Sequence, residues 1–346
     1  MPISKSTSIY LNLVRWFSAA GVVLYHLQIG KFGPEWLLRY FPTNGHGFVT
    51  VFFVISGFVV SMAAEQKTAI QFAIDRSARI YIVAIPALLM SIALSLSFHS
   101  AGQGSETISD ATSNFLLNVV FLGQSWSLNL FPPLNSPYWS LSYEVMYYLA
   151  FGCFVYARGI QRWLLAGLIG CLAGPKILVL FPCWLAGVAA YKSRNGALAT
   201  QKNGWLAAIG APLFLAICVF LGLKAFLNEL SDKIAFHSTT SEAFLKSWLL
   251  AALYAIHLWG ICQIKISFPT LIGKLSSKLA GMSYSLYLSH FPIIYTIAFL
   301  AADRTTIGFL CIELTAVFIG CYIFSRLTEA HTKAVRDRIG AMIERG

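Results

Sequence analysis

The chain alternates long apolar runs with short polar segments from one end to the other. Ten of these runs are about 15 to 20 residues long, close to the length that a helix needs to cross a bilayer. They cover residues 9–29, 47–64, 78–98, 139–156, 160–174, 176–191, 205–222, 245–263, 281–300 and 306–325. The pattern therefore predicts an all-α, polytopic membrane helix bundle with about ten transmembrane helices.

One further apolar stretch, residues 111–126, is too short for a full crossing and predicts a re-entrant or interfacial helix.

The basic residues support a count of ten crossings. With ten crossings and both termini in the cytoplasm, 18 of the 25 Lys and Arg residues lie on the cytoplasmic side and 7 on the other, as the positive-inside rule favours. An eleventh span would remove this asymmetry. No polar block interrupts the apolar runs, so we expect residues 1–346 to form a single integral-membrane domain.

Composition narrows the class of protein further. Hydrophobic residues make up 57% of the chain and charged residues only 11%, which is far from the composition of a soluble domain. The net charge of +11 is scattered over short loops, so we expect contacts with membrane lipids and no nucleic-acid partner. The seven cysteines lie inside or beside apolar runs without the paired spacing of a metal site. We therefore expect no bound metal.

The first predicted span carries Arg15 and His26, which are costly in hydrocarbon. Eleven residues separate them, so on an α-helix they lie about 20° apart in direction and about 16 Å apart along the axis. A helix with both on one face should turn that face toward a protein interior or a wet cavity. The alternative is that Arg15 extends to the headgroups and His26 is a satisfied structural side chain.

Two further polar groups could share that interior. Arg76 and Arg79 are neighbours on one helix face at the cytoplasmic end of the third span. Paired guanidinium groups suit phosphate oxygens, although basic residues at this end also serve as ordinary anchors. Glu144 lies about one and a half turns into the fourth span, at a depth similar to that of His26. A carboxylate there would orient the imidazole as a general base, unless it pairs with a backbone group or a lysine instead.

Other polar positions inside the spans have structural interpretations. Ser56 and Gly57 are typical of small-residue helix packing. His290 precedes Pro292 within the ninth span, and we interpret it as structural or cavity-lining rather than catalytic.

The same residues, taken in order, resemble a known family. Arg15 and His26, "FFVISGF" (52–58), "DRSARI" (75–80), "YWSLSYEVMYY" (138–148) and "YSLYLSHFP" (284–292) are similar to motifs of the acyltransferase 3 family of integral-membrane O-acyltransferases. The resemblance implies transfer of an acyl group, usually acetyl, from cytoplasmic acyl-CoA to a hydroxyl of a glycan or lipid-linked glycan. It also implies a bacterial cell membrane location.

The resemblance assigns roles to these positions. It implies that His26 and Glu144 are catalytic and that Arg15, Arg76 and Arg79 bind the coenzyme. The candidate substrate-pocket residues are Asn44, His46, Tyr138, Trp139, Ser142, Tyr148 and His290. Direct transfer and a covalent acyl-histidine relay both remain open. The rival interpretation is a transporter or flippase of a glycan or lipid-linked intermediate, which would also carry polar groups along a central path.

Overall fold

The computed structural model describes residues 3–100, 108–234 and 244–343, and helices joined by turns make up these segments without any β-strand. The helices are α1 (Lys5–Ile29), α2 (Glu35–Leu38), α3 (Gly45–Ala64), α4 (Ala69–Ser100), α5 (Ile108–Val119), α6 (Trp139–Tyr156), α7 (Gln161–Ala173), α8 (Pro175–Leu178), α9 (Phe181–Ser193), α10 (Gln201–Phe220), α11 (Leu223–Ile234), α12 (Phe244–Gln263), α13 (Thr270–Ala280), α14 (Ser283–Leu300), α15 (Ile307–Leu327) and α16 (Thr332–Ile343). Short 3₁₀ turns at Ser136–Tyr138 and Glu329–His331 precede α6 and α16.

A helix lies at each of the ten predicted positions. Within the described segments, seven helical stretches are long and apolar enough to cross a membrane: α1, α3, α4, α10, α12, the continuous α8–α9 stretch and the stretch that begins with α15. Of the other three predicted spans, α7 is shorter, with 13 residues. Helices α6 and α14 have 18 residues each and are more polar. These findings confirm an all-α, multi-pass membrane bundle.

The helix predicted at 111–126 has different bounds. Helix α5 has 12 residues, so it is about 18 Å long and too short to span a bilayer. It ends at Val119, and turns follow because Phe121 and Trp126 adopt positive φ angles of 59° and 54°. Lys176 at the start of α8 then holds this segment by donating hydrogen bonds to the side chains of Gln124 and Asn129. The segment after Val119 therefore folds against α8, whereas the sequence predicted that the helix continues to residue 126.

Helices α3 and α9 pack so closely that their backbones almost touch. A Cβ atom on Gly57 would lie 2.0 Å from the carbonyl oxygen of Trp184, and one on Gly187 would lie 1.9 Å from the carbonyl oxygen of Val54. The small-residue packing predicted at Gly57 is confirmed. At the adjoining helix ends, Lys192 donates a hydrogen bond to the Glu65 carboxylate and lowers its pKa to about 2.

This close approach makes a prediction about stability. Gly187→Ala should lower the thermal unfolding midpoint of the purified protein, because an added methyl group must push the two backbones apart and overpacking costs about 1–3 kcal/mol. Gly210→Ala is the matched control, since a Cβ atom there meets nothing within 4 Å. Equal unfolding midpoints for the two variants would contradict the packing described.

Candidate active site

A narrow cavity gathers the arginines that the sequence singled out. Five helices, α1, α3, α4, α6 and α14, contribute to its wall, and its volume is about 70 Å³. We call it the arginine cavity; its polar lining consists of Arg15, Ser56, Arg76, Arg79, Ser140, Glu144, Tyr148, Ser283, Tyr284 and Tyr287. The predicted convergence of three guanidinium groups is thus present in the fold.

The arginines differ in how they are paired. Arg76 donates a hydrogen bond to Asp75, which also binds Lys67 at 2.7 Å and Arg336 at 3.4 Å. No side chain of the described residues hydrogen-bonds to Arg79, which lies buried in the electrostatic field of two carboxylates, Glu144 and Glu329. Arg79 therefore keeps its donors for a ligand, whereas Arg76 has already used one of its own.

Glu144 is held firmly on the wall of the arginine cavity. One of its oxygens, Oε1, accepts hydrogen bonds from the hydroxyls of Ser56, at 2.8 Å, and Tyr148. Trp184 in turn donates its indole N–H to the Ser56 hydroxyl at 3.2 Å. Ser56 therefore orients a carboxylate in addition to its place in the helix packing, which the sequence did not indicate.

A second carboxylate near the arginines was missed at the sequence level. Glu329, in the 3₁₀ turn after α15, accepts hydrogen bonds from the backbone N–H and the hydroxyl of Ser285, both at 3.0 Å. It interacts electrostatically with Arg15 and Arg79. Nothing in the spacing of the sequence indicates this fold-back, because Glu329 lies beyond the last apolar run.

A larger cavity adjoins the arginine cavity and contains the histidine of α1. Its volume is about 860 Å³, and its wall includes His26, His46, Tyr25 and Trp139. We call it the histidine cavity. Val49 and Tyr287 line both cavities, so these two side chains form the boundary between them.

The predicted interior face of α1 is present in this arrangement. Arg15 lines the arginine cavity and His26, only 8% exposed, lines the histidine cavity. The two residues therefore open onto opposite sides of the Val49–Tyr287 boundary.

The hydrogen bonds of His26 assign its tautomer. His26 Nδ1 lies 2.9 Å from His290 Nε2, and His290 Nδ1 lies 2.9 Å from the carbonyl oxygen of Leu286. A carbonyl only accepts, so His290 carries its proton on Nδ1, and the Nε2 of the neutral ring accepts from His26 Nδ1–H. The remaining nitrogen of His26, Nε2, is then unprotonated and can act as a base toward the cavity.

This geometry corrects the predicted partner of His26. Glu144 was expected to orient the ring, but Glu144 lies in the arginine cavity and His290 occupies the partner position. The reason is the orientation of α6. Trp139 and Tyr143, four residues apart, turn one face of the helix to the histidine cavity, whereas Ser140 and Glu144 lie on a different face that lines the arginine cavity.

Pro292, two residues after His290 in α14, explains how the loop before α6 is anchored. Pro292 has no N–H to donate to the carbonyl of Leu288, one turn earlier in α14. The side chain of Asn135, fully buried, donates to that carbonyl at 2.9 Å and to Ser91 Oγ at 3.1 Å. The loop before α6 is therefore fixed against α14 beside the histidine pair.

The remaining predicted pocket residues separate into two groups. His46 and Trp139 line the histidine cavity, and their rings are 5.4 Å apart. Tyr148 lines the arginine cavity instead. The other four do not occur among the described wall residues of either cavity: Asn44 caps α3, His290 hydrogen-bonds to His26, and Tyr138 and Ser142 are fully buried. Their part in substrate binding stays a prediction.

Metal binding has no support in the geometry. Across the part of the chain that the structure describes, no group of three or more His, Cys, Asp or Glu residues is placed to hold a metal ion.

Fold and site together define a multi-pass membrane protein whose polar side chains gather around two adjoining internal cavities. The family model described as an acyltransferase domain, that of the acyltransferase 3 family, matches residues 8–326, and the chain belongs to this family. The resemblance noted in the sequence is thereby confirmed, and acyl transfer is the activity for which this family is named.

A curated relative supports the same activity. The chain is 29% identical over 177 residues to the acyltransferase MdmB of Streptomyces mycarofaciens. The matched stretch is 49% of this chain and 44% of the relative, so the chain spans less than half the length of the relative it matches. No solved structure matches the chain.

Proposed function

We propose that this protein transfers an acyl group from cytoplasmic acyl-CoA to a hydroxyl of a cell-surface or exported glycan. The proposed acyl group is acetyl, and the proposed location is the bacterial inner membrane. The observation that carries the proposal is the tautomer of His26. His26 lies on the wall of a large cavity, its hydrogen bond to His290 leaves Nε2 as the unprotonated nitrogen, and a cavity lined by three arginines adjoins it.

The arginine cavity is the proposed donor site. Guanidinium groups bind phosphate oxygens through paired hydrogen bonds. Arg79 and Arg15 both line this space, and Arg15 donates one hydrogen bond to Ser283 Oγ at 3.3 Å. The helical distance from Arg15 to His26, about 16 Å, is of the order of the length of a pantetheine arm. A cavity of about 70 Å³ holds only a handful of water molecules. We therefore expect the arm to displace that water and to part Val49 and Tyr287 on its way to His26.

The chemistry then follows from the histidine pair. His26 Nε2 accepts the proton of the acceptor hydroxyl while the hydroxyl oxygen attacks the thioester carbonyl. The new ester bond forms, the carbon–sulfur bond breaks, and the leaving thiolate takes the proton from the imidazolium. His290 Nε2 accepts the hydrogen bond from His26 Nδ1 throughout, which keeps the ring in the reactive tautomer and stabilises its charged form. In the alternative relay, His26 Nε2 attacks the thioester first.

The test of the function is release of coenzyme thiol by the purified protein supplied with acetyl-CoA and a panel of glycans, with the ester product identified by mass spectrometry. Acyl transfer predicts acceptor-dependent thiol release. A flippase would move a lipid-linked glycan across a vesicle membrane without consuming thioester, and that result would refute the proposal. Radiolabelled acetyl retained on the protein without acceptor, and lost in His26→Gln, would favour the relay.

The histidine pair makes a separate prediction. His290→Leu should lower kcat by about 10²-fold, within the range attributed to general base catalysis, because it removes the acceptor that sets the His26 tautomer. His290→Gln places an amide oxygen near the Nε2 position, so it should recover about tenfold of that loss. The KM for the donor should stay unchanged in both variants. A glutamine variant no better than the leucine variant, or a loss confined to KM, would argue against this positioning role.

A further inference from the structure

The histidine cavity is positively charged, and this property suggests which acceptors it binds. Its described wall carries two lysines, Lys176 and Lys246, as well as His26 and His46, and it includes no aspartate or glutamate. The arginine cavity also has a positive wall, with three arginines against Glu144, but it is assigned to the donor. The charge of the histidine cavity therefore bears on the acceptor.

Lys246 has no compensating carboxylate among the described residues. It lies near the start of α12, half-buried, and none of the ion pairs in the described segments includes it. Burial disfavours its charge most, and Lys224 on α11 adds a repulsion. A half-buried ammonium group without a carboxylate partner is unfavourable unless an anion joins it, and the cavity beside Lys246 provides space for one.

Lys176 adds a second fixed cation to the wall. Its ammonium group donates to three neutral oxygens, those of the Gln124 and Asn129 side chains and the Leu128 carbonyl, at 2.6 to 3.0 Å. These bonds hold the loop and the charge at the edge of the cavity. In the ten-span topology, Lys176, Lys224 and Lys246 are three of the seven basic residues on the non-cytoplasmic side, where basic residues are depleted. Lys176 and Lys246 both lie on the wall of one cavity, and the positive-inside rule does not account for that placement.

The rest of the wall suits a sugar. It includes the aromatic rings of Trp139, Tyr25 and Tyr143, together with amide and hydroxyl side chains. The side-chain oxygen of Asn228 is buried without a hydrogen-bond partner among the described residues, so it can accept a bond from a sugar hydroxyl.

We infer that the acceptor is an acidic glycan, whose anionic group binds at Lys246, attracted also by the charge of Lys176, while one of its hydroxyls reaches His26. This inference rests on the proposed function, because it specifies the acceptor of the same reaction. The anion is a carboxylate on a sugar or the diphosphate of a lipid-linked glycan. Both carry anionic oxygen atoms, and a lysine ammonium group binds such atoms as a compact point charge.

The test uses the full chain in lipid nanodiscs and three probes: an oligosaccharide that contains a uronic acid, its carboxyl-reduced neutral twin, and the neutral twin joined to a short polyprenol through a diphosphate. We expect at least one anionic probe to bind about tenfold more tightly than the neutral twin. That ratio corresponds to a difference in binding free energy of about 1.4 kcal/mol, which is close to the lower end of what a hydrogen bond to a charged group contributes. The probe that shows the gain identifies the source of the anion.

The variants assign the gain to the cavity. Lys246→Gln should reduce it to less than about threefold, whereas Lys246→Arg should retain most of it. Lys233→Gln is the matched control, because Lys233 lies exposed on α11 in an ion pair with Glu229, and it should leave the gain unchanged. Equal binding of all three probes, or a gain that survives Lys246→Gln, would overturn the inference.

Binding and transfer fail separately in this design. If the neutral twin is acetylated as fast as the acidic probes, acyl transfer stands and the acidic acceptor is refuted. If thiol release is absent with every probe while binding still depends on Lys246, the acidic ligand stands and the proposed reaction is refuted.

Discussion

His26→Ala is expected to lower the rate of acyl transfer by at least about 10³-fold. The variant removes Nε2, the nitrogen that the hydrogen bonds of the His26–His290 pair leave unprotonated. A positioned general base contributes about 10²–10⁴ in rate, and a covalent relay through the same nitrogen would be lost as well. The measurement is acceptor-dependent thiol release at saturating donor, with thermal unfolding to show that the variant is folded.

His26→Asn is the matched control for this prediction. Its side-chain amide N–H can replace Nδ1–H as the donor to His290 Nε2, so the contact between α1 and α14 is retained while the base is absent. We expect His26→Asn to be as stable as the wild type and as inactive as His26→Ala. Activity of the asparagine variant above about a tenth of the wild-type rate would show that His26 serves packing rather than chemistry.

The second large effect is expected at Arg79. Arg79→Gln should raise the KM for acyl-CoA by about 10- to 100-fold, because hydrogen bonds between charged groups contribute about 1.5–3 kcal/mol each. Rates at saturating donor should change much less, since Arg79 does not reach the His26 side of the Val49–Tyr287 boundary. Initial rates measured over a range of donor concentrations separate the two parameters.

Two variants keep the Arg79 test interpretable. Arg79→Lys retains a cation beside Glu144 and Glu329, so it should stay folded and show a smaller rise in KM, because lysine cannot bind phosphate through a planar pair of donors. Arg158→Gln removes a basic side chain that lies exposed in the loop after α6 and should leave KM unchanged. An unaltered KM in both Arg79 variants would contradict donor binding in the arginine cavity.

Spacing along single helices predicted part of this site. The eleven-residue separation of Arg15 and His26 fixes a common face of α1, and the three-residue separation of Arg76 and Arg79 fixes a common face of α4. Both faces turn inward in the fold. The positions of the helices also follow from the apolar runs, because length and hydropathy are properties of each segment alone.

Contacts between helices could not be predicted in the same way. The partner of His26 is His290, which lies 264 residues away on α14, and no periodicity connects the two. Depth was judged from the distance of each residue to the end of its apolar run. That measure says nothing about which face of α6 carries Glu144, and this face lines the arginine cavity while the face of Trp139 and Tyr143 lines the histidine cavity.

The loop and tail residues illustrate the same limit. Pro292 makes a free carbonyl at Leu288 foreseeable from sequence alone, yet the identity of the donor, Asn135, depends on how the loop before α6 folds back. Glu329 reaches the arginines only because the chain turns sharply after α15. Side chains in turns acquire their neighbours from tertiary packing, and sequence patterns carry little information about it.

The most direct test of the account is a density map of the protein bound to a thioether analogue of acetyl-CoA. We predict that the phosphates contact Arg79 and Arg15, that the arm passes between Val49 and Tyr287, and that the acetyl carbonyl lies beside His26. An acceptor oxygen bonded to Nε2 would then be about 3–3.5 Å from the carbonyl carbon. An analogue that binds at saturation outside both cavities, with Val49 and Tyr287 in unchanged positions, would contradict the central claim that the donor reaches His26 through the arginine cavity.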